Sequence, residues 1–218
     1  MFSFVLAAFL GYLLGSIPTA YLLVRWNSRL DVRSAGSGNV GTLNSYQVTG
    51  SYLVGAAVLA VDAAKGVAAV ALSGALLRQD FAHESCAGFF SVLGHNFPLW
   101  LRFRGGRGLA TAAGVFSMFC WPLVPVWGAL WTAAYMILRE VNPANAVASA
   151  IIPVIIALTP DEILNRFAAV GFGSGEFALF AAASMIVVLV KHLEPVRAYI
   201  RKRRKSGFRP RDTGGAEK

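Results

Sequence analysis

The sequence predicts an all-α, polytopic integral membrane protein: a helical bundle of about seven transmembrane helices, with its N-terminus outside and its C-terminus cytoplasmic. Three observations predict it. Of the 218 residues, 56% are hydrophobic and 14% charged, too little charge to cover the surface of one soluble domain of this length. Apolar runs near the ~20 residues that cross a bilayer as helix recur along the chain. The 20 Lys and Arg, against 11 Asp and Glu, gather in alternate connections, as they do in loops kept on the cytoplasmic side. This composition excludes a disordered chain, a nucleic-acid-binding arm and a disulfide-stapled secreted module. No nucleic-acid partner is expected. Cys86 and Cys120 are too few for a disulfide framework and are read as unbridged.

The first apolar run, Phe2–Val24, has neither a basic start nor a small-residue cleavage site, so it reads as a retained span. Tyr52–Leu77 is the second and Cys86–Leu101 the third. Leu109–Cys120 and Leu123–Leu138 are divided by Trp121-Pro122, a tight turn because the residue before proline leaves the helical region. Ala144–Leu158 and Phe177–Val190 complete seven; the count falls to five if the short pieces are half-spans. Arg25, Arg29 and Arg33 follow the first run, Arg102, Arg104 and Arg107 the third, and Arg139 the fifth. The C-terminal stretch holds Lys191, Arg197, Arg201, Lys202, Arg203, Arg204 and Lys205. With seven crossings all of these face the cytoplasm. Residues 1–197 form a single transmembrane domain and residues 198–218 a basic cytoplasmic tail, whose partner is the anionic lipid surface.

Two loops on that side carry the chemistry. In the first, Gly36, Gly38 and Gly41 alternate with Ser37, Asn39, Thr42 and Asn44. The spacing satisfies the dinucleotide fingerprint but follows a membrane helix rather than a strand, so the physical content alone is kept. Glycines let backbone N–H groups reach an anion, and a plain turn would not need so many polar neighbours. In the second, Gly105, Gly106 and Gly108 flank Arg107 ahead of an apolar helix, with His95 upstream. A helix N-terminus with glycines and a guanidinium suits phosphate oxygens. Asp62 and Lys65 lie one turn apart within the second span and form either a self-satisfied pair or part of a site. Gly11 and Gly15 read as a helix-packing surface. His83 is placed in an outer loop, solvated, and His95 and His192 lack a neighbouring carboxylate or Cys cluster, so no metal is expected.

The absences narrow the reaction. No G-x-S-x-G elbow, H-E-x-x-H or P-loop lysine occurs, and no histidine has Asp five residues on. What remains suits a reaction between anionic partners, catalysed by positioning and charge neutralisation.

Gly15-Ser16-Ile17-Pro18, Asp31-Val32-Arg33, Ser37-Gly38-Asn39-Val40-Gly41 with Asn44, Asp62 through Lys65-Gly66, and Gly94-His95 through Thr111 together resemble the bacterial membrane glycerol-3-phosphate acyltransferases that use acyl phosphate. The resemblance runs in order and spacing through about residue 197. It implies transfer of a fatty acyl group from acyl phosphate to the 1-hydroxyl of glycerol 3-phosphate, giving lysophosphatidate and phosphate for phospholipid synthesis. It implies no cofactor, and a site in the inner (plasma) membrane facing the cytoplasm. By position, Ser37, Asn39 and His192 resemble catalytic residues. Gly36, Gly38, Gly41, Asn44, Gln47, His95, Gly105, Gly106, Arg107 and Gly108 resemble substrate-binding positions. The chain departs from the pattern at Leu43 for Thr, Gln47 for Arg, Arg107 for Lys and Pro195 for Asn. Those four exchanges define an alternative, a paralogue with impaired catalysis or a different acceptor.

Overall fold

The computed structural model describes residues 1–168 and 170–205. Its helices are α1 (Phe2–Ser16), α2 (Thr19–Ser28), α3 (Thr42–Thr49), α4 (Tyr52–Leu76), α5 (Phe81–Asn96), α6 (Leu109–Cys120), α7 (Leu123–Leu138), α8 (Val141–Leu158), α9 (Asp161–Asn165), α10 (Ser174–Val190) and α11 (Leu193–Lys205). No strand occurs among the described residues. The first expected apolar run falls on α1 and the start of α2, and the other six fall on α4, α5, α6, α7, α8 and α10. Phe2–Ser28, Tyr52–Leu76 and Val141–Leu158 are each long and apolar enough to cross a membrane, whereas α6 and α7 are shorter apolar helices. Large apolar side chains such as Phe9, Ile137, Leu158, Leu179 and Ile186 point outward, a costly arrangement in water and the ordinary one in lipid.

Helices α8 and α10 each begin three residues before the expected runs, and two differences are larger. The first run is not one helix, because Pro18 lacks an N–H and ends α1; the chain restarts at Thr19. The break leaves the Ile17 carbonyl accepting from Lys65 Nζ at 3.0 Å. The third span is Phe81–Asn96, five residues earlier than the hydropathy suggested. Asp80 caps it by accepting from the His83 N–H at 2.9 Å, and the chain leaves the helix at Phe97 ahead of Pro98.

His83 therefore belongs to a helix and is buried, not solvated. Its Nδ1–H donates to Asp80 Oδ1 at 2.8 Å, Ser3 Oγ–H donates to Nε2 at 2.9 Å, and Phe4 stacks on the ring with centroids 4.0 Å apart. The chain Ser3–His83–Asp80 has the order of a hydrolase triad. Here the aspartate is a helix cap and an aromatic ring covers the imidazole, so the set clamps the start of α1 to the start of α5.

Close helix packing follows the small residues. A side-chain carbon on Gly11 would lie 2.1 Å from the Ala87 carbonyl oxygen, and one on Gly15 would lie 2.0 Å from that of Ser91, so α1 and α5 touch backbone to backbone. Phe81, Phe116, Phe119, Phe172, Phe177 and Phe180 fill the end of the bundle away from the basic loops. At the basic end Ala20, Val24, Val32, Val40, Val58 and Leu101 form a smaller core beneath the first glycine loop. Pro195 cannot donate to the Lys191 carbonyl and its ring crowds that turn; α10 and α11 meet there at a bend of 58°. Helix α11 runs across the expected domain boundary at 197/198, and residues 206–218 of the basic tail lie outside the described residues. Cys86 and Cys120 are both free thiols.

Candidate active site

The first loop is organised by one side chain. Asn44, buried at the start of α3, accepts from the Ser37 N–H at 2.8 Å. Its amide nitrogen lies 3.1 Å from the Val32 and Ala35 carbonyl oxygens and 3.0 Å from that of Asn39. Gly36 and Gly38 take φ of +58° and +69°, the left-handed turns that wrap the loop around it. Asn44 thus shapes the loop and has no polar atom left over for a ligand. Asp31 pins the entry to the loop through a two-pronged contact with Arg33, 2.7 Å at its shortest. The Arg33 guanidinium holds the Asp31 carboxyl below the usual carboxylate range.

In the second loop the Gly105 and Gly106 N–H groups bond back to the Asn96 and His95 carbonyls at 3.3 and 3.1 Å. They are not the free donors that the glycine pattern suggested. Unpaired N–H groups lie instead in the first turns of α3 and α6, where a helix has no internal acceptor for them. Gly41, Thr42 and Leu43 at the start of α3 and Arg107, Gly108, Leu109 and Ala110 at the start of α6 line one cavity of about 360 Å³. Two positive helix ends and a guanidinium therefore meet at one head. Gly108, at φ +82°, starts α6 against the Asn96 side chain.

Asn39, Asp62, His95 and Asn145 complete the polar head, while Leu59, Phe116, Leu123, Val124, Trp127, Ile152 and Met185 make the apolar body. Trp127 is fixed through its Nε1–H to Ser149 Oγ at 3.2 Å. Arg107 is held by the Asn142 side-chain oxygen. His192 lies behind the wall: its Nδ1–H donates to the Val188 carbonyl at 2.9 Å, and the Asn145 amide, 3.4 Å away, donates to Nε2. Burial pushes its pKa down, and the Arg107 charge adds to that, against the pull of the Val188 carbonyl. A neutral imidazole results.

Of the residues singled out in the sequence, Asn39, Gly41, His95, Arg107 and Gly108 come together on this cavity, and Gly105 and Gly106 line a second one of about 10 Å³ beside it. Ser37 and Gln47 are exposed, the latter one turn beyond Leu43 on α3. Asp62 and Lys65 do pair, at 2.9 Å and buried. A carboxylate also reaches a histidine: Asp62 Oδ1 lies 3.6 Å from His95 Nδ1. Sequence reasoning missed Asn142 and Asn145, whose signal was amide side chains opening an apolar run next to Arg139.

Comparison with known proteins follows this geometry. A family profile described as glycerol-3-phosphate acyltransferase matches residues 5–202. A protein of Mesorhizobium japonicum named glycerol-3-phosphate acyltransferase is 35% identical over 193 residues, covering 88% of this chain and 89% of its own. One of the same name from Brucella abortus is 37% identical over 188 residues, covering 85% and 84%. The fold is similar to that of PlsY, an integral membrane glycerol 3-phosphate acyltransferase solved in its glycerol 3-phosphate form, with a TM-score of 0.75, 24% identity and coverage of 92% and 94%. The chain belongs to the glycerol-3-phosphate acyltransferase family.

Proposed function

We propose that the protein transfers a fatty acyl group from acyl phosphate to the 1-hydroxyl of glycerol 3-phosphate, yielding lysophosphatidate and phosphate at the cytoplasmic face of the plasma membrane. The observation that carries this is the single cavity with two unlike ends. Its apolar body between α4, α6, α7 and α8 accepts a hydrocarbon chain, and its head presents two helix N-termini and Arg107 to a phosphoryl group. Acyl phosphate has that same division. The relatives' shared name supplies the acceptor, and the PlsY neighbour is also solved in a lysophosphatidic acid form.

In this reading Arg107, Gly108 and the first turn of α6 hold the donor phosphate, while Asn39 and the 36–41 loop face it from the other side. Ser37, at the exposed rim, and Asn145 on the cavity wall hold the acceptor, and His192 positions the Asn145 amide from behind. The acceptor oxygen bonds to the acyl carbon as its proton passes to a phosphate oxygen, and the bond from that carbon to the phosphate oxygen breaks with its electrons on phosphate. Phosphate departs as an anion, so the stabilisation required is positive charge already in place. Arg107 keeps that charge where the family pattern has Lys and adds a fork of donors. On α11, Arg197, Lys202 and Lys205 contribute to a basic surface for anionic headgroups, each worth ~1 kcal/mol close to the membrane.

The test is to incubate purified protein with acyl phosphate, with and without glycerol 3-phosphate. Phosphate release and lysophosphatidate formation that both depend on the acceptor are the expected result. Intact acyl phosphate in both incubations would overturn the reading.

A further inference from the structure

Arg107 is half-buried at the cavity head, and charges taken out of water are ordinarily paired with an opposite charge. Among the described residues no carboxylate pairs with it. Burial pushes its pKa down, with no acidic neighbour to pull it back. Its Nη1–H donates instead to the side-chain oxygen of Asn142, 35 positions along the chain in the first turn of α8. A guanidinium carries its N–H donors in a rigid planar fork. One contact to Asn142 fixes the plane of that fork, and the guanidinium has no other hydrogen bond among the described residues. The holder is a neutral amide, so the full positive charge also remains. An aspartate in the same place would orient the fork and cancel it.

The start of α8 is built for this hold. It reads Val141-Asn142-Pro143-Ala144-Asn145, with Pro143 buried in the first turn. There the missing N–H costs nothing, and the fixed φ stiffens the backbone beneath both amides. Asn142 and Asn145, three residues apart, share one face of the helix. Asn145 lines the cavity and faces His192 at 3.4 Å, while Asn142 reaches Arg107. On the other side, Gly106 and Gly108 flank Arg107 and offer no side chain to steer it. The direction of the guanidinium is set from α8.

We infer that Asn142 is the positioning residue that aims Arg107 at the donor phosphate without neutralising it, and that this hold makes the site require arginine rather than lysine at 107; this rests on the acyl-phosphate reading above. As the bond from the acyl carbon to the phosphate oxygen breaks, negative charge gathers on phosphate. A fork already held in plane stabilises that charge with no reorganisation at the moment of reaction. An ammonium is a compact point charge on a flexible stem. It cannot hold Asn142 and also present two parallel donors to phosphate oxygens.

The experiment compares wild type, Asn142→Ala, Asn142→Asp, Arg107→Lys and the Asn142→Ala/Arg107→Lys double variant in steady-state assays with acyl phosphate and glycerol 3-phosphate. Asn142→Ala lowers kcat/KM for acyl phosphate by about ten- to a hundredfold, the scale of one charge-assisted hydrogen bond. The KM for glycerol 3-phosphate stays within about threefold of wild type. Asn142→Asp keeps the shape and the oxygen, and it still loses at least as much because its charge opposes phosphate. A residue that merely packed the loop would tolerate aspartate. Arg107→Lys costs about tenfold or more with Asn142 present and less than about threefold once Asn142 is alanine, the coupling expected of groups that act as a unit. Asn142→Leu, which fills a similar volume without the oxygen, takes the place of an alanine variant that does not fold. The inference is overturned by a folded Asn142 variant within about threefold of wild type. It is also overturned by a loss confined to the acceptor KM, or by Arg107→Lys losses that are the same in both backgrounds. Calorimetric titration with inorganic phosphate separates this inference from the reading beneath it. An inactive wild type overturns the transfer reading, while phosphate bound by wild type and at least about tenfold more weakly by Asn142→Asp upholds the hold on Arg107. Equal phosphate affinity in the two overturns the hold itself.

Discussion

Gln47 stands on the exposed face of α3 one turn beyond Leu43, where the family pattern carries an arginine. A phosphate acceptor bears nearly two charges at neutral pH, and one charge-assisted hydrogen bond to it is worth about 1.5–3 kcal/mol. Gln47→Arg should then lower the KM for glycerol 3-phosphate by roughly ten- to a hundredfold at little change in kcat. Initial rates against acceptor concentration check this, and an unchanged or raised KM would place the acceptor phosphate elsewhere. Gly106 is a second single-residue test. Its N–H already bonds the His95 carbonyl, so its importance lies in the space that a side chain would fill. The branched carbons of Gly106→Val would press on His95 Nε2 and the Val40 carbonyl and drive the two loops apart. Turnover should be abolished while the bundle stays folded; full activity in a folded valine variant would separate the donor from this junction.

At the scale of elements, what could be read from the sequence depended on whether a boundary has a local cause. Helix α6 begins and α7 ends where the apolar pattern placed them, because Gly108, Trp121-Pro122 and Arg139 interrupt the chain there. The start of α5 was hidden, since its first turn reads Phe-Ala-His-Glu and its cap, Asp80, looks like part of a charged loop. The Pro18 break was hidden by unbroken hydropathy on both sides. Both glycine loops were legible, but their donors were not: Asn44 and the His95 and Asn96 carbonyls occupy loop N–H groups that only three-dimensional closure could reveal. The α5 cap is itself testable. Asp80→Ala removes the oxygen that receives both the His83 N–H and its ring, at a cost of ~1 kcal/mol for the cap. Thermal unfolding should show that loss near neutral pH. The His83 N–H holds the Asp80 carboxyl below its ordinary range, so the capping stability is present above about pH 4 and is lost as pH falls through the lower folded value. The gap between variant and wild type should therefore narrow in strong acid. A gap that is the same in acid as at neutral pH would deny Asp80 the capping role.

For the whole molecule, the decisive property is which end faces the cytoplasm. The two glycine loops, the cavity head and the turn from α10 to α11 share one end of the bundle, and most of the basic residues lie there. The aromatic cluster and the Ser3–His83–Asp80 clamp occupy the other end, accompanied by Asp80, Glu84, Asp161 and Glu162. Lys and Arg in short loops resist translocation, whereas acidic residues contribute little to orientation. The anionic inner leaflet adds ~1 kcal/mol for each basic residue close to it. Arg102, Arg104, Arg139 and the α11 residues all favour the same orientation, and no short basic cluster opposes them. Arg104 is exposed on the second loop beside the cavity head, so it reports the position of the site as well as the topology. In a chain with Cys86 and Cys120 replaced by serine, Arg104→Cys should resist a membrane-impermeant thiol reagent in intact cells and react once the cells are opened. Protection in both conditions would mean a buried loop, which a permeant reagent would confirm by reacting no better. Labelling of intact cells would reverse the orientation and place the cavity head outside. Acyl phosphate and glycerol 3-phosphate, both too strongly charged to cross the bilayer unaided, would then have to be supplied from that side.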